Sequence, residues 1–267
     1  MTELNISERM LHGPQGRIFV RQWVPQADKT SPREPIVLLH ESLGCADHWR
    51  AFPGLLCRET GREVIAYDRL GFGRSDPYPV TLPYTFVQDE VNESFAVVRQ
   101  SLKFKNFLAC GHSVGGAMAV AIAAALQQDC RGIVTMASLS MIELQTINGV
   151  SQAKTFFSQP EQLARLRQYH GDKAEWVLNA WVVTWLAQTF QAWNLDAYLV
   201  QVQCPALVIH GEKDEYASTR HAERMVSHLG QRSSLKIMPD TGHFPHREHA
   251  NDVIKEIKRF LSANLLD

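Results

Sequence analysis

The chain has 267 residues, 45% of them hydrophobic and 21% charged, with 27 basic against 28 acidic side chains and a formal net charge of −1. That length supports one substantial core with room for an inserted subdomain. The near-neutral balance, with no basic block and no acidic tail, argues against a nucleic-acid footprint and against a disordered, self-repelling chain.

In chain order, residues 1–10 are polar and lack the apolar stretch of a signal peptide, so the expected location is cytoplasmic. Apolar runs at 17–24, 35–40 and 62–68 read as the first strands, and helical spacing covers 84–102. Residues 107–112 make a further strand and 113–126 a helix of small residues. The apolar run 117–126 is too short to span a bilayer. A strand at 132–138 follows. The rhythm then breaks. From 139 to 201 no strand is evident, 161–170 and 173–190 read as helices, and Trp176, Trp181, Trp185 and Trp193 all fall here. Strand 206–211, helix 218–229, strand 234–239 and helix 252–265 complete the chain. In that last helix Val253, Ile254, Ile257 and Leu261 form one stripe.

Several of these strands are near-continuous apolar runs, as expected of strands covered on both faces. Their alternation with helices predicts an α/β fold with a mostly parallel central sheet and helices on both faces. The expected organisation is a core in two parts, 1–138 and 202–267, with an inserted helical cap at 139–201. The cap tryptophans are expected to glue cap to core, with one or two of Trp176, Trp181 and Trp185 facing a substrate pocket. The five cysteines, Cys45, Cys57, Cys110, Cys130 and Cys204, are scattered, with no Cys-x-x-Cys. That pattern fits buried reduced thiols rather than a disulfide framework or a zinc site.

The chemistry is expected where strand 107–112 meets Gly111-His112-Ser113-Val114-Gly115-Gly116. Gly-x-Ser-x-Gly between a strand and a helix is the pattern of a nucleophile elbow. A serine oxygen reacts well only when it is held clear of the surface beside a base. A sharp turn does that and crowds its neighbours, hence the glycines. The base needs a third group that fixes its tautomer. In the order serine, acid, histidine, the acid is sought after strand 206–211, where Asp214 stands, with Glu212 and Glu215 as alternatives. The base is sought after the last strand. His243 lies there in a Gly-His turn, with His246 and His249 nearby, and Asp240 is too close in sequence to be aimed easily at its ring. Oxyanion donors are expected from the backbone of Val114 and from the loop after strand 35–40, at Ser42. His40 reads as a loop organiser. Gly71-Phe72-Gly73-Arg74-Ser75-Asp76 lacks the third glycine of a dinucleotide loop, and His246-Arg247-Glu248-His249 lacks zincin spacing, so neither a cofactor nor a metal is expected.

Together, His40-Glu41-Ser42-Leu43-Gly44, Tyr67-Asp68-Arg69-Leu70-Gly71-Phe72-Gly73-Arg74-Ser75, the elbow, His210-Gly211-Glu212-Lys213-Asp214 and Gly242-His243-Phe244 resemble the α/β-hydrolase superfamily across nearly the whole chain. The resemblance implies a triad of Ser113, His243 and Asp214, an inserted helical cap and no cofactor. Three departures are informative. Many relatives carry His-Gly where this chain has His40-Glu41. Carbon–carbon hydrolases often have arginine and tryptophan where this chain has Glu212 and Phe244. Dehalogenases and cap-bearing epoxide hydrolases use aspartate where this chain has Ser113. The expected activity is serine hydrolysis of a small to medium, largely apolar ester. Thioester, lactone and carbon–carbon hydrolysis are the alternatives, and a slow-turnover receptor or a synthase of the same fold stands further off. The expected partner is a small apolar molecule, and the oligomeric state is open.

Overall fold

Residues 36–39, Ile-Val-Leu-Leu, lie at the centre of the molecule with all four side chains buried. Ile36 and Leu38 join the core on one side of the sheet, and Val37 and Leu39 join the core on the other. This is the period of two of a strand covered on both faces. The structure, a computed structural model, describes residues 3–26, 33–264 and 266.

Among the described residues the strands are β1 (Leu4–His12), β2 (Arg17–Pro25), β3 (Ile36–Leu39), β4 (Val64–Tyr67), β5 (Phe107–His112), β6 (Cys130–Met136), β7 (Ala206–Gly211) and β8 (Ser233–Met238). They form one sheet in the order β1-β2-β4-β3-β5-β6-β7-β8. The pairs β1/β2 and β2/β4 are antiparallel, and every pair from β4 through β8 is parallel. The helices are α1 (Phe52–Thr60), α2 (Phe86–Asp89), α3 (Ser94–Leu102), α4 (Val114–Ala125), α5 (Leu144–Phe157), α6 (Pro160–His170), α7 (Ala174–Leu186), α8 (Asp196–Leu199), α9 (Arg220–Leu229), α10 (Pro245–Glu248) and α11 (Ala250–Ala263). Apolar side chains of α1 and α11 cover one face, and those of α3, α4, α8 and α9 cover the other. Each buried large aliphatic or aromatic side chain contributes about 1.5–3 kcal/mol.

Between β6 and β7 the chain leaves the sheet. Met141 and Asn194 pair as an isolated antiparallel bridge, and Leu195 N–H donates to the Ser140 carbonyl at 3.0 Å. Helices α5, α6 and α7 lie between those points and pack on one another, whereas α8 packs on α4 and α9. No helix among the described residues is long and apolar enough to cross a membrane. All five cysteines are buried and free.

Several elements differ from the sequence reading, among them α1, which had no counterpart there. Strand β1 had no hydrophobic signal because it is an edge strand with mostly exposed side chains, held by backbone pairing to β2. The helix expected at 84–102 is broken into α2 and α3. Between them the chain turns Glu90 inward to accept the Tyr67 hydroxyl at 2.6 Å and the Phe95 N–H at 3.0 Å. Helix α5 was not anticipated; its buried residues Thr146, Val150 and Ala153 fall at helical spacing among polar neighbours. The C-terminal helix ends at Ala263, and Leu265 lies outside the described residues.

Candidate active site

The loops that follow β3, β5, β7 and β8 meet at the carboxyl edge of the parallel sheet, where α/β folds place ligands. Ser113 stands between β5 and α4 with φ 55° and ψ −125°. A non-glycine residue with that backbone is strained and is held only by what surrounds it. Its N–H donates to the Met136 carbonyl at 2.9 Å. A Cβ at Gly111 would land on the Gly115 carbonyl oxygen, and one at Gly115 would land on the Leu39 carbonyl oxygen. Glycine at these two positions is therefore what lets the turn close against β3 and β5.

Asp214 follows β7 with its side chain fully buried. One of its oxygens accepts the backbone N–H groups of Tyr216 at 2.8 Å and Ala217 at 3.1 Å. His243 Nδ1 lies 2.9 and 2.8 Å from the two carboxylate oxygens. The geometry assigns the proton of neutral His243 to Nδ1 and leaves Nε2 as its basic nitrogen. Burial pushes the Asp214 carboxyl up, but the charge and hydrogen bond of His243, with His210 and the Tyr216 N–H, outweigh it and hold it below the usual range. Burial pushes His243 down, but the charge and hydrogen bond of Asp214, helped by Glu215 and Glu41, leave it above the ordinary histidine value.

The neighbouring acids and histidines are engaged elsewhere. Asp240 pairs with Lys213 at 2.6 Å on the surface. Glu212 is exposed, and Glu215 accepts the His243 backbone N–H at 3.2 Å. His246 is buried against Trp49, Phe52 and His112, and His249 is exposed before α11. His40 is fully buried; its Nδ1 faces the Glu41 carbonyl at 2.8 Å, and its Nε2 accepts the Arg69 N–H at 3.2 Å. Burial and the Arg69 charge hold it neutral. His112 Nε2 donates to the His243 carbonyl at 2.7 Å, so the residue before Ser113 fixes the backbone of His243.

A cavity of about 460 Å³ lies over this edge, with Ser42, Ser113 and His243 in its wall. Val114 is fully buried and opens α4. As the first residue of a helix, its N–H has no intrahelical carbonyl to reach. Trp181 and Trp185 line the cavity, with Leu139, Val150 and Phe157. Trp176 does not. Its indole N–H donates to the Val80 carbonyl at 3.2 Å, and its ring stacks on Tyr78 and lies over Gly71. The expectation that Trp176 faces the pocket is corrected: the bare turn at Gly71 admits its ring and draws it onto the core.

Two wall residues had escaped the sequence reading of the site. Tyr216, just past Asp214, lies edge-on to both His243 and Trp181, with ring centroids 4.8 and 5.8 Å away. Glu41 sits where many relatives carry glycine. Arg247 Nη2 lies 3.1 Å from its carboxylate, His48 Nδ1 3.2 Å and His112 Nδ1 3.5 Å. Burial pushes its carboxyl up, but hydrogen bonds and charges of His112 and His48 hold it well below the usual range. Gly44 makes room for it, since a Cβ there would strike the Glu41 carboxylate. The departure His40-Glu41 was visible in the sequence; its partners were not. No cluster of three or more metal-ligating side chains occurs among the described residues.

Comparison with known proteins places this chain in a family. A family model described as alpha/beta hydrolase family matches residues 36–256. The mouse serine hydrolase BPHL is 26% identical over 219 residues, covering 74% of this chain and 69% of that protein. A proline iminopeptidase of Saccharolobus solfataricus is 23% identical over 264 residues, covering 85% of this chain and 84% of that protein. Among solved structures, the serine hydrolase CCSP0084 of the polyaromatic-hydrocarbon-degrading bacterium Cycloclasticus zankles superposes with a TM-score of 0.80 at 15% identity, covering 97% of this chain and 98% of that one.

Proposed function

Because the chain belongs to the alpha/beta hydrolase family, we propose that it is a serine hydrolase that cleaves a small to medium, largely apolar ester through an acyl-enzyme. The observation that carries this reading is the buried contact of His243 Nδ1 with both oxygens of Asp214, in a wall shared with the strained Ser113.

His243 Nε2 takes the proton of the Ser113 hydroxyl as its oxygen attacks the ester carbonyl. Asp214 keeps Nδ1 protonated and stabilises the imidazolium that forms. The backbone N–H groups of Val114 and Ser42 receive the oxyanion. The imidazolium then gives its proton to the leaving alcohol. In the second half of the cycle, water loses a proton to His243 and attacks the acyl-Ser113 carbonyl. Trp181, Trp185, Val150 and Leu139 offer apolar surface to the acyl chain at about 0.8 kcal/mol per buried methylene. The chain supplies every group this cycle uses, and no cofactor or metal enters it.

The test is a turnover panel of matched esters, thioesters, lactones, vinylogous diketones and proline amides, run on the wild type and on Ser113→Ala. Ester turnover that vanishes in the variant supports the reading. Preference for another bond class reassigns the substrate while keeping the triad. Turnover that persists in Ser113→Ala overturns the triad.

A further inference from the structure

The elements that wall the cavity differ in character. Helices α5 and α7 and the segment after β6 supply Val150, Phe157, Trp181, Trp185 and Leu139, none of them charged. A second set, the 3-10 turn Ala46–Trp49 and the residue after it with α6 and α10, supplies His48, Arg50, Gln162, Arg165 and Arg247 beside Leu166 and Tyr169. Ring contacts place His243 between Trp181 and Arg247. Tyr216 lies against both Trp181 and His243, and Phe244 lies against His243 at 5.3 Å and beneath the Arg247 guanidinium at 4.3 Å.

The charges of this second set do not cancel. Glu41 is the acid of this cavity wall, and it is already engaged by Arg247 at 3.1 Å. The Nε of Arg247 is buried with no hydrogen-bond partner. Arg165 is exposed and, among the described residues, meets only the neutral side-chain oxygen of Gln162, at 3.2 Å. Arg50 is exposed, and none of its side-chain atoms has a partner among the described residues. Its backbone is held at φ 53° by its N–H on the Asp47 carbonyl. By contrast, Arg167 stands two residues further along α6, outside the cavity wall, and is paired with Glu175 at 2.6 Å. Two unpaired guanidiniums, one from the core and one from the cap, thus border the same mouth. Guanidinium groups bind planar or tetrahedral oxyanions by paired N–H donors.

We infer that the cavity takes a two-ended substrate, with the apolar acyl chain toward Trp181 and Trp185 and an alcohol portion bearing an oxyanion, carboxylate or phosphate, toward Arg50 and Arg165. This inference rests on the proposed hydrolysis at the same site. Arg50 and Arg165 hold the anionic end, and they act on binding rather than on the bond that breaks. The bond cleaved stays the ester joining the two ends.

The experiment compares three octanoyl aryl esters that differ only at the para position: 4-hydroxybenzoate, 4-hydroxyphenyl phosphate and the neutral 4-hydroxybenzamide. The expected result is a kcat/KM at least about fivefold higher for one or both anionic esters, carried by KM, because mouth-exposed ion pairs are each worth little. The ratio falls as ionic strength rises from 0.05 to 0.5 M. Arg165→Gln and Arg50→Gln each lower it toward one, while Arg167→Gln, outside the cavity, leaves it unchanged. The two anionic esters tell a carboxylate site from a phosphate site. The same ratio is read without turnover by binding to Ser113→Ala through tryptophan fluorescence. Equal values for charged and neutral esters in both assays, or a ratio that ignores both arginine substitutions, overturns the inference even when all three esters are cleaved. An arginine-dependent binding ratio with no cleavage by the wild type keeps the two-ended site and sinks the hydrolase reading instead.

Discussion

His243 Nδ1 faces Asp214 through both carboxylate oxygens, at 2.9 and 2.8 Å, and Asp214 is itself fixed by the N–H groups of Tyr216 and Ala217. The carboxylate cannot turn away without breaking bonds on both sides. The imidazole is held in one tautomer before any substrate arrives.

Asp214→Asn presents either an N–H or a poorer acceptor to Nδ1, so the tautomer is lost while the packing survives. Ester hydrolysis is expected to fall about ten-thousandfold. Ser113→Ala is expected to abolish labelling by a fluorophosphonate probe together with activity, since members of such a unit fail together. Labelling at any other serine counts against the site.

The proposed cycle requires neutral His243, and Asp214 holds its pKa above the ordinary value of about 6.5. The profile of kcat/KM is therefore expected to rise with pH through an inflection above about 6.5 and then level. In the residual activity of Asp214→Asn the inflection is expected to move down, because the charge that stabilised the imidazolium is gone. An unmoved inflection assigns the titration to another group.

The three tryptophans of α7 are expected to separate. Trp181 is half-buried in the cavity wall. Trp181→Ala should shift the acyl chain-length optimum in a p-nitrophenyl ester series toward longer chains. Trp185 is 1% exposed and packed on Phe190 and Trp193. Trp185→Ala should both shift the optimum and destabilise the fold by about 3–5 kcal/mol. Trp176→Ala should leave the optimum where it is. A shift with Trp176 and none with Trp181 reverses the assignment of the wall.

Glu90 gives a stability prediction away from the site. Burial lifts its carboxyl from 4.5 to about 7, against the pull of Arg69 and the Tyr67 hydrogen bond. The folded chain therefore holds this proton more tightly than the unfolded chain. The contribution is full below pH 4.5 and is lost as pH rises toward 7, an amount on the order of 3 kcal/mol by linkage. Glu90→Gln keeps an acceptor for the Tyr67 hydroxyl and cannot ionise. Denaturant midpoints should show the wild type losing stability relative to this variant between pH 4.5 and 7. Parallel curves would place the charge elsewhere.

Much of the fold was legible in the sequence because burial on both faces writes an unbroken apolar run, as in Ile36-Val37-Leu38-Leu39 and Phe107-Leu108-Ala109-Cys110. The elbow was legible because its backbone tolerates so few residues at Gly111 and Gly115. Strand β1 was hidden because its side chains stay mostly exposed and leave no hydrophobic pattern. Helix α5 was hidden because only one narrow stripe of it is buried. Spacing along the chain could not say which tryptophan faces the cavity. Trp176 is settled by contact with Gly71, Phe72 and Tyr78, roughly a hundred positions away. Likewise, Glu41 could be seen as a departure, but its meeting with Arg247 depends on the parallel pairing that brings the ends of β3 and β8 to one edge.

The Ser140–Leu195 hydrogen bond and the Met141–Asn194 bridge make the two ends of the segment that holds α5, α6 and α7 lie side by side. A segment whose ends already touch can lengthen, shorten or be exchanged at a cost that grows only logarithmically with its length. Strands β6 and β7 remain paired whatever hangs from that neck. The segment that holds α5, α6 and α7 is thus a cassette. Evolution, or an engineer, can swap it whole without reopening the question of how the sheet folds.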